Sequence, residues 1–363
     1  MIYLAGVVFV FAIIRLLVAV SNLVFRQSFG RNTAPLNHLV SVLIPARNEE
    51  NNISNLLADL LKQPYQRIEI IVFDDESTDN TTAIVSGFSK KDARVKLICS
   101  AGLPEGWLGK NHACHVLANK ATGDFLLFLD ADVRVKNELL SDITRYTEKY
   151  KLGLLSVFPK QIMIGVGEKI TVPNMNYILL SLLPLILVRK TGFSSFAAAN
   201  GQCMLFDAVG YRQMMPHQTM KANKVEDIAI ARFYKQNHIP VACLAGDENI
   251  SCRMYGSFVD SVHGFSKNVI GFFGNSAVLA FSFWLITSFG FLAVLVGLSY
   301  KALFFYFSMV VLTRIFISIV SRQSVVQNLV LLIPQQLALG LFIYKAILNK
   351  KRKEYIWKGR SIS

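Results

Sequence analysis

Apolar positions along the chain fall into three regimes. Ile2 to Phe25 is a continuous apolar run broken only by Arg15, Ser21 and Asn22, long enough for a bilayer crossing of ~20 residues. From Leu39 to about Cys252, short apolar runs alternate with segments of helical spacing. Ser41–Ile44, Ile68–Phe73, Val95–Ile98, Phe125–Leu129 and Gly153–Val157 predict buried strands, and Asn52–Lys62 and Asn111–Ala121 predict helices. That alternation implies an α/β fold with a parallel sheet, whose ligand sites lie at the carboxyl ends of the strands. Past Lys267 the chain turns hydrophobic again. Ser276–Leu298 and Ala302–Val320 predict spans, and Val325–Leu348, interrupted by Pro334-Gln335-Gln336, predicts a kinked span or a re-entrant pair.

The expected organisation is a transmembrane anchor over residues 1–25, a globular domain over 39–268, C-terminal transmembrane helices over 269–348 and a basic tail over 349–363. Met1-Ile2-Tyr3 lacks the positive start of a cleaved signal peptide, which favours an uncleaved anchor. Arg26 and Arg31 follow the first run, and Lys350, Lys351, Arg352 and Lys353 follow the last. The positive-inside rule therefore makes the domain cytosolic at the inner or plasma membrane of a multi-pass protein. Three further spans would carry the basic tail outside, so either one C-terminal segment does not cross or the rule is broken. Met175–Val188, with Arg189 and Lys190 behind it, suits a core helix or, preferably, a helix lying in the membrane interface.

Composition agrees with this division. Apolar residues make up 53% and charged residues 17%, against roughly 45–50% and 25% in soluble domains. The net charge of +14 concentrates beside the apolar runs, which points to a membrane surface. No basic stripe is interleaved with aromatics, so nucleic acid is not an expected partner. Five cysteines without a C-x-x-C pair argue against a disulfide framework or zinc ribbon. His112 and His115 lack the glutamate of H-E-x-x-H, which argues against a zinc site there.

Three strand ends turn abruptly polar. Ser41–Ile44 runs into Pro45-Ala46-Arg47-Asn48-Glu49-Glu50, and Ile70–Phe73 into Asp74-Asp75-Glu76-Ser77-Thr78-Asp79. Phe125–Leu129 ends in Asp130-Ala131-Asp132. Adjacent carboxylates repel, so a metal or an N–H donor must offset them. A D-x-D at a strand tip suits Mg²⁺ or Mn²⁺, which bind through one or two carboxylates plus substrate phosphates. Gly106 and Gly109 make a flexible loop beside Lys110, a cation suited to a diphosphate. Glu226 and Asp227 open a helix, where acids are favoured in any case.

Together these elements resemble the family-two glycosyltransferases, over roughly Leu39–Gly274. The resemblance implies the GT-A, Rossmann-like fold, with a mixed, mainly parallel sheet flanked by helices. It implies that Pro45, Ala46, Arg47 and Glu49 line the nucleoside pocket and that Asp75, or else Asp74, accepts from a uracil-type base. Asp130 would lie near the ribose or sugar, Asp132 would ligate Mn²⁺ or Mg²⁺, and Asp227, paired with Glu226, would be the catalytic base. Gly201, Arg253 and Lys267 are further candidates for acceptor or diphosphate contacts. The Gln-x-x-Arg-Trp of processive synthases is missing, whereas Gly264-Phe265-Ser266-Lys267-Asn268 resembles non-processive lipid glycosyltransferases of the carotenoid and hopanoid type. The expected function is inverting, metal-dependent transfer from a nucleotide-sugar donor, UDP-type favoured, to a hydroxyl or carboxyl of a lipid-like acceptor. The alternatives are a processive polysaccharide synthase, a nucleotidyltransferase and a non-catalytic nucleotide-sugar-binding membrane protein.

Overall fold

The computed structural model describes residues 1–29, 36–352, 356–357 and 360–361. Arg31 and the side chains of the basic tail from Lys350 onward lie outside the described residues. The chain divides into two compact units. One comprises Gln27–Lys160 and Leu185–Cys252, and the other Met1–Arg26, Gln161–Pro184 and Arg253–Ser363.

The first unit is built on strands β1 (Val40–Ala46), β2 (Ile68–Asp74), β3 (Val95–Cys99), β4 (Phe125–Leu129), β5 (Val133–Val135), β6 (Leu154–Phe158), the two-residue β7 (Lys160–Gln161), β8 (Cys203–Asp207), β9 (Val241–Ala245) and β10 (Ile250–Cys252). Seven of them form one sheet in the order β3-β2-β1-β4-β8-β6-β9. β1 runs parallel to β2 and β4, β2 to β3, and β6 to β9, while β8 is antiparallel to β4 and β6. The sheet is mixed and mainly parallel, as expected. Leu43, Ile44, Ile70, Val72, Leu126 and Leu127 are at most marginally exposed. Strands covered on both faces demand such unbroken apolar runs, and burying each of these side chains contributes about 1.5–3 kcal/mol.

Register sets the site. Ala46 pairs with Asp74 and Leu43 with Phe128, so the turns after β1, β2 and β4 emerge at one edge. The antiparallel β8 pairs Cys203 with Leu129, which brings Asn200–Gln202 to that same edge from the opposite chain direction. β10 runs antiparallel to β5 with Cys252 opposite Val133, next in sequence to Asp132.

Among the described residues of the second unit, three helices are long and apolar enough to cross a membrane: Ile2–Val24, Ala277–Gly297 and Tyr300–Val320. Small residues let them approach closely: a Cβ on Gly290 would lie 2.7 Å from Val8 Cγ1, and one on Gly297 2.7 Å from Ala5 Cβ. Val7, Ile14, Leu17, Leu292, Val296 and Phe304 face outward. Asn22, one of the polar interruptions, is buried and donates to the carbonyls of Leu180 and Leu183 at 3.0 and 2.9 Å. It thereby satisfies the open end of the helix Pro173–Leu182.

The segment Met175–Val188 is not one helix. The helix Pro173–Leu182 ends before Pro184, and Leu185–Lys190 starts afresh in the sheet unit, because a residue preceding proline disfavours the helical conformation. Likewise Val325–Leu348 is two helices, Val325–Val330 and Leu332–Arg352, broken at Leu331.

Candidate active site at the sheet edge

The turns after β1 and β2 are tied to each other. Asn48 takes a left-handed conformation (φ 53°) that lets its backbone N–H donate to Ser77 Oγ at 3.0 Å, while its Oδ1 accepts from Thr78 N at 2.8 Å. Glu49 N donates to Thr81 Oγ1 at 2.8 Å and Glu50 N to Asp79 Oδ2 at 3.0 Å. The polar residues read from sequence as a binding turn are thus partly spent on holding the two turns together. Arg47 donates to the Asp75 carbonyl, and its Nη1 stands 3.9 Å from Asp75 Oδ2 and 3.7 Å from Glu76 Oε2. Asp74 and Asp75 are both buried. Thr82 Oγ1 donates to Asp74 Oδ2 at 2.9 Å, and Asp74 Oδ1 has no hydrogen-bond partner.

At the tip of β4, Lys110 is the hub. Its Nζ lies 2.7 Å from Asp130 Oδ1, 3.6 Å from Glu226 Oε1 and 3.4 Å from the Gly201 carbonyl. Burial alone would lower the pKa of this ammonium, but Asp130 and Glu226 raise it on balance. Asp227 Oδ2 accepts from Gly201 N at 3.0 Å, and its Oδ1 accepts from Ile228 N at 2.8 Å in the first turn of the helix Glu226–Gln236. Burial raises the pKa of Asp227, against those two N–H donors and Lys110. Glu226 is pushed up to about 7, first by burial and then by Asp227, with Lys110 opposing.

Asp132 carries the clearest sign of a missing positive charge. Its pKa is pushed up to about 7, first by burial and then by the charges of Asp130 and Glu49. Its Oδ1 is buried without a partner, while the carboxylate takes a hydrogen bond from the Cys252 thiol. An orphaned, crowded carboxylate of this kind fits a divalent cation, which would stabilise its ionised form. Among the described residues no three His, Cys, Asp or Glu side chains converge on one point. An ion on Asp132 would therefore draw its other ligands from a bound diphosphate and water.

The sheet unit brings together Pro45, Ala46, Arg47, Glu49, Asp74, Asp75, Lys110, Asp130, Asp132, Gly201, Glu226 and Asp227. Arg253 and Lys267 belong to the helical unit. There Arg253 donates from Nη2 to Glu168 Oε1 at 2.7 Å, and Lys267 is half-buried on the helix Phe258–Asn268. His112 and His115 pack against Trp107, with ring centroids 5.6 and 5.1 Å away.

Two contributors went unseen in the sequence. Cys252, which touches Asp132, also accepts from Gln202 Nε2 at 2.8 Å. Asn111 is buried, and its Nδ2 donates to the carbonyls of Met220, Lys221 and Asn223 at 2.8, 3.2 and 3.1 Å. It pins the loop that leads into Glu226 and Asp227. A buried amide one residue from Lys110 was the available signal.

Residues 41–209 match the family described as Glycosyl transferase family 2. The chain is 28% identical over 239 residues to the 4,4'-diaponeurosporenoate glycosyltransferase of Staphylococcus haemolyticus, covering 63% of this chain and 60% of that protein's length. It is 27% identical over 303 residues to the enzyme of the same name from Staphylococcus aureus, covering 79% of this chain and 76% of that one. The mannosyltransferase PcManGT from Pyrobaculum calidifontis, solved with GDP-Man and Mn²⁺, has a similar fold (TM-score 0.56) at 13% identity, over 96% of this chain and 99% of that one. The likeness to glycosyl transferase family 2 is carried by residues 41–209, which contain the strand-tip carboxylates Asp74, Asp75, Asp130 and Asp132.

Proposed function

We propose that the protein transfers a sugar from a nucleotide-diphospho-sugar to a lipid-like acceptor, a carotenoid-type acid or alcohol being the favoured class, with inversion at the anomeric carbon. The observation that carries this reading is Asp227, held by Gly201 N at 3.0 Å at a helix start, within the cluster that Lys110 shares with Asp130 and Glu226.

Arg47, Glu49 and Asp75 line the nucleoside end, with Asp75 accepting from the base N–H of a uridine-type donor and Asp74 as its alternative. Asp130 orients the sugar and Lys110 faces the diphosphate. Asp132 would hold Mn²⁺ or Mg²⁺, which supplies charge neutralisation for the departing diphosphate. Asp227 accepts the acceptor hydroxyl proton as the new oxygen–carbon bond forms and the bond from the anomeric carbon to phosphate breaks. Such base assistance contributes roughly 10²–10⁴-fold.

The acceptor class rests on the likeness to the two staphylococcal enzymes and on the three apolar helices. Three crossings would leave the sheet unit and the basic tail on one side of the membrane, the cytosolic side by the positive-inside rule. A count of three keeps the rule that four crossings would break.

Transfer by the purified, detergent-solubilised protein tests the reading. UDP- and GDP-sugars are screened with Mn²⁺ or Mg²⁺ against carotenoid acids, carotenoid alcohols and lipid extracts. Metal-dependent transfer, abolished in Asp132→Ala and reduced at least 10²-fold in Asp227→Asn with a hydroxyl acceptor, is expected. Nucleotide-sugar binding without turnover on any acceptor would overturn it.

A further inference from the structure

Two arginines meet inside the helical unit where apolar helices leave little reason for any charge. Arg15 lies within the helix Ile2–Val24 and Arg314 within Tyr300–Val320, and both are buried. They converge on one ring: the Arg15 guanidinium carbon is 4.6 Å from the Tyr177 ring centroid and that of Arg314 is 3.6 Å from it. Phe283 flanks Arg15 at 5.3 Å.

Neither arginine has a carboxylate partner among the described residues. Glu168, a buried acid of the same unit, is committed to Arg253. Gln335 Oε1 accepts from Arg314 Nη1 at 2.9 Å. Nε and Nη2 of both arginines are buried without any hydrogen-bond partner. Each guanidinium offers five N–H donors in a planar fork suited to an oxyanion. Cation–π attraction of ~0.5–2 kcal/mol per contact does not satisfy those donors, nor does it cancel the repulsion between two like charges sharing a ring. Charged groups in such helices are costly and are kept where they do work.

We propose that Arg15 and Arg314 bind the oxyanion head, carboxylate or phosphate, of a membrane amphiphile whose tail lies among these helices. The apolar surroundings select an amphiphile over a free ion. One oxyanion bridging both forks would satisfy the orphaned Nε and Nη2 groups and neutralise the pair. Tyr177 and Gln335 hold the two side chains ready for it.

Binding to the full chain, reconstituted in phosphatidylcholine nanodiscs without any nucleotide sugar, tests this separately from catalysis. The probes are oleate and dodecyl phosphate, against oleyl alcohol and inorganic phosphate, followed by native mass spectrometry and titration. About one equivalent of oleate or dodecyl phosphate should bind at least tenfold more tightly than oleyl alcohol. Arg15→Gln and Arg314→Gln should each weaken it at least tenfold, and Lys301→Gln, at an exposed basic residue of the same unit, should not. Equal binding of acid and alcohol to the wild-type protein would overturn the proposal, even where the arginine variants fail to fold. So would undiminished binding in folded variants. Inorganic phosphate binding as tightly as dodecyl phosphate would also overturn it, by revealing a free-ion site.

Discussion

Lys110 Nζ lies 2.7 Å from Asp130 Oδ1, and this contact joins the start of the helix Gly109–Lys120 to the tip of β4. Lys110 is the cation beside Asp130 and Glu226, and its charge lowers the Glu226 pKa against the effect of burial. Lys110→Met removes it, so the Glu226 pKa rises further. Turnover should fall at least about 10²-fold, and the acid limb of the pH–rate profile should move to higher pH. An unshifted limb would show that Lys110 does not control the cluster's charge.

Gly201 leaves no room for a side chain. A Cβ there would lie 3.0 Å from Lys110 Nζ, 3.3 Å from Glu226 Oε1 and 3.7 Å from Asp227 Oδ2. Gly201→Ala pushes directly on the three groups proposed to act. A loss of roughly 10²-fold in kcat is expected, since small misplacements at a reacting centre cost that much, with little change in thermal midpoint. Wild-type turnover would show that the cluster tolerates displacement.

Asn111 offers a contrast, because it touches three loop carbonyls and no proposed reactant. Asn111→Ala leaves those carbonyls without their donor at a cost of about 1–3 kcal/mol, and frees the loop before Glu226. The thermal midpoint and kcat should fall together while nucleotide-sugar affinity is kept. Loss of kcat with no change in stability would instead put Asn111 at the substrate.

The raised carboxylates give the site a definite pH dependence. Asp132 and Glu226 have pKa values near 7 because they are buried beside other acids. A carboxylic acid whose folded pKa exceeds its unfolded value favours folding while protonated. That stability fades as pH rises from about 4 through about 7. Metal binding runs the other way and weakens as pH falls below about 7, because the ion would bind the ionised form of Asp132. Mn²⁺ with UDP should therefore raise the thermal midpoint more at pH 8 than at pH 6. Equal gains at both would mean that the ion does not bind through Asp132.

The strand tips were legible in the sequence because buried parallel strands need unbroken apolar runs, and the polar residues that end them stand out. Asp74, Asp75, Asp130 and Asp132 were all reached in this way. Gly201 was a candidate as well, but the contacts that complete the site were not legible. Cys252 meets Asp132 through the β5–β10 pairing, and Gly201 meets Asp227 through the antiparallel entry of β8. Both contacts depend on long-range register, which no local pattern encodes. Arg15 likewise looked like an interruption in an apolar run until the fold placed it, with Arg314, on Tyr177.

The acceptor's own chemistry decides how much Asp227 matters. A hydroxyl must lose its proton during attack, so a base beside it lowers the barrier. A carboxylic acid with an ordinary pKa near 4 is already ionised at neutral pH and has no proton to give. Asp227→Asn should therefore cost about 10²–10⁴-fold with an alcohol acceptor and less than about tenfold with a carotenoid acid, measured as kcat at pH 7.5. Asp227 accepts through both oxygens, from Gly201 N and Ile228 N, and the amide keeps only one of these bonds. That displacement is common to both acceptors, so comparing them in the same variant isolates proton transfer from geometry. Equal, large losses with both acceptors would show that Asp227 orients the acceptor or opposes charge elsewhere, and is not the base.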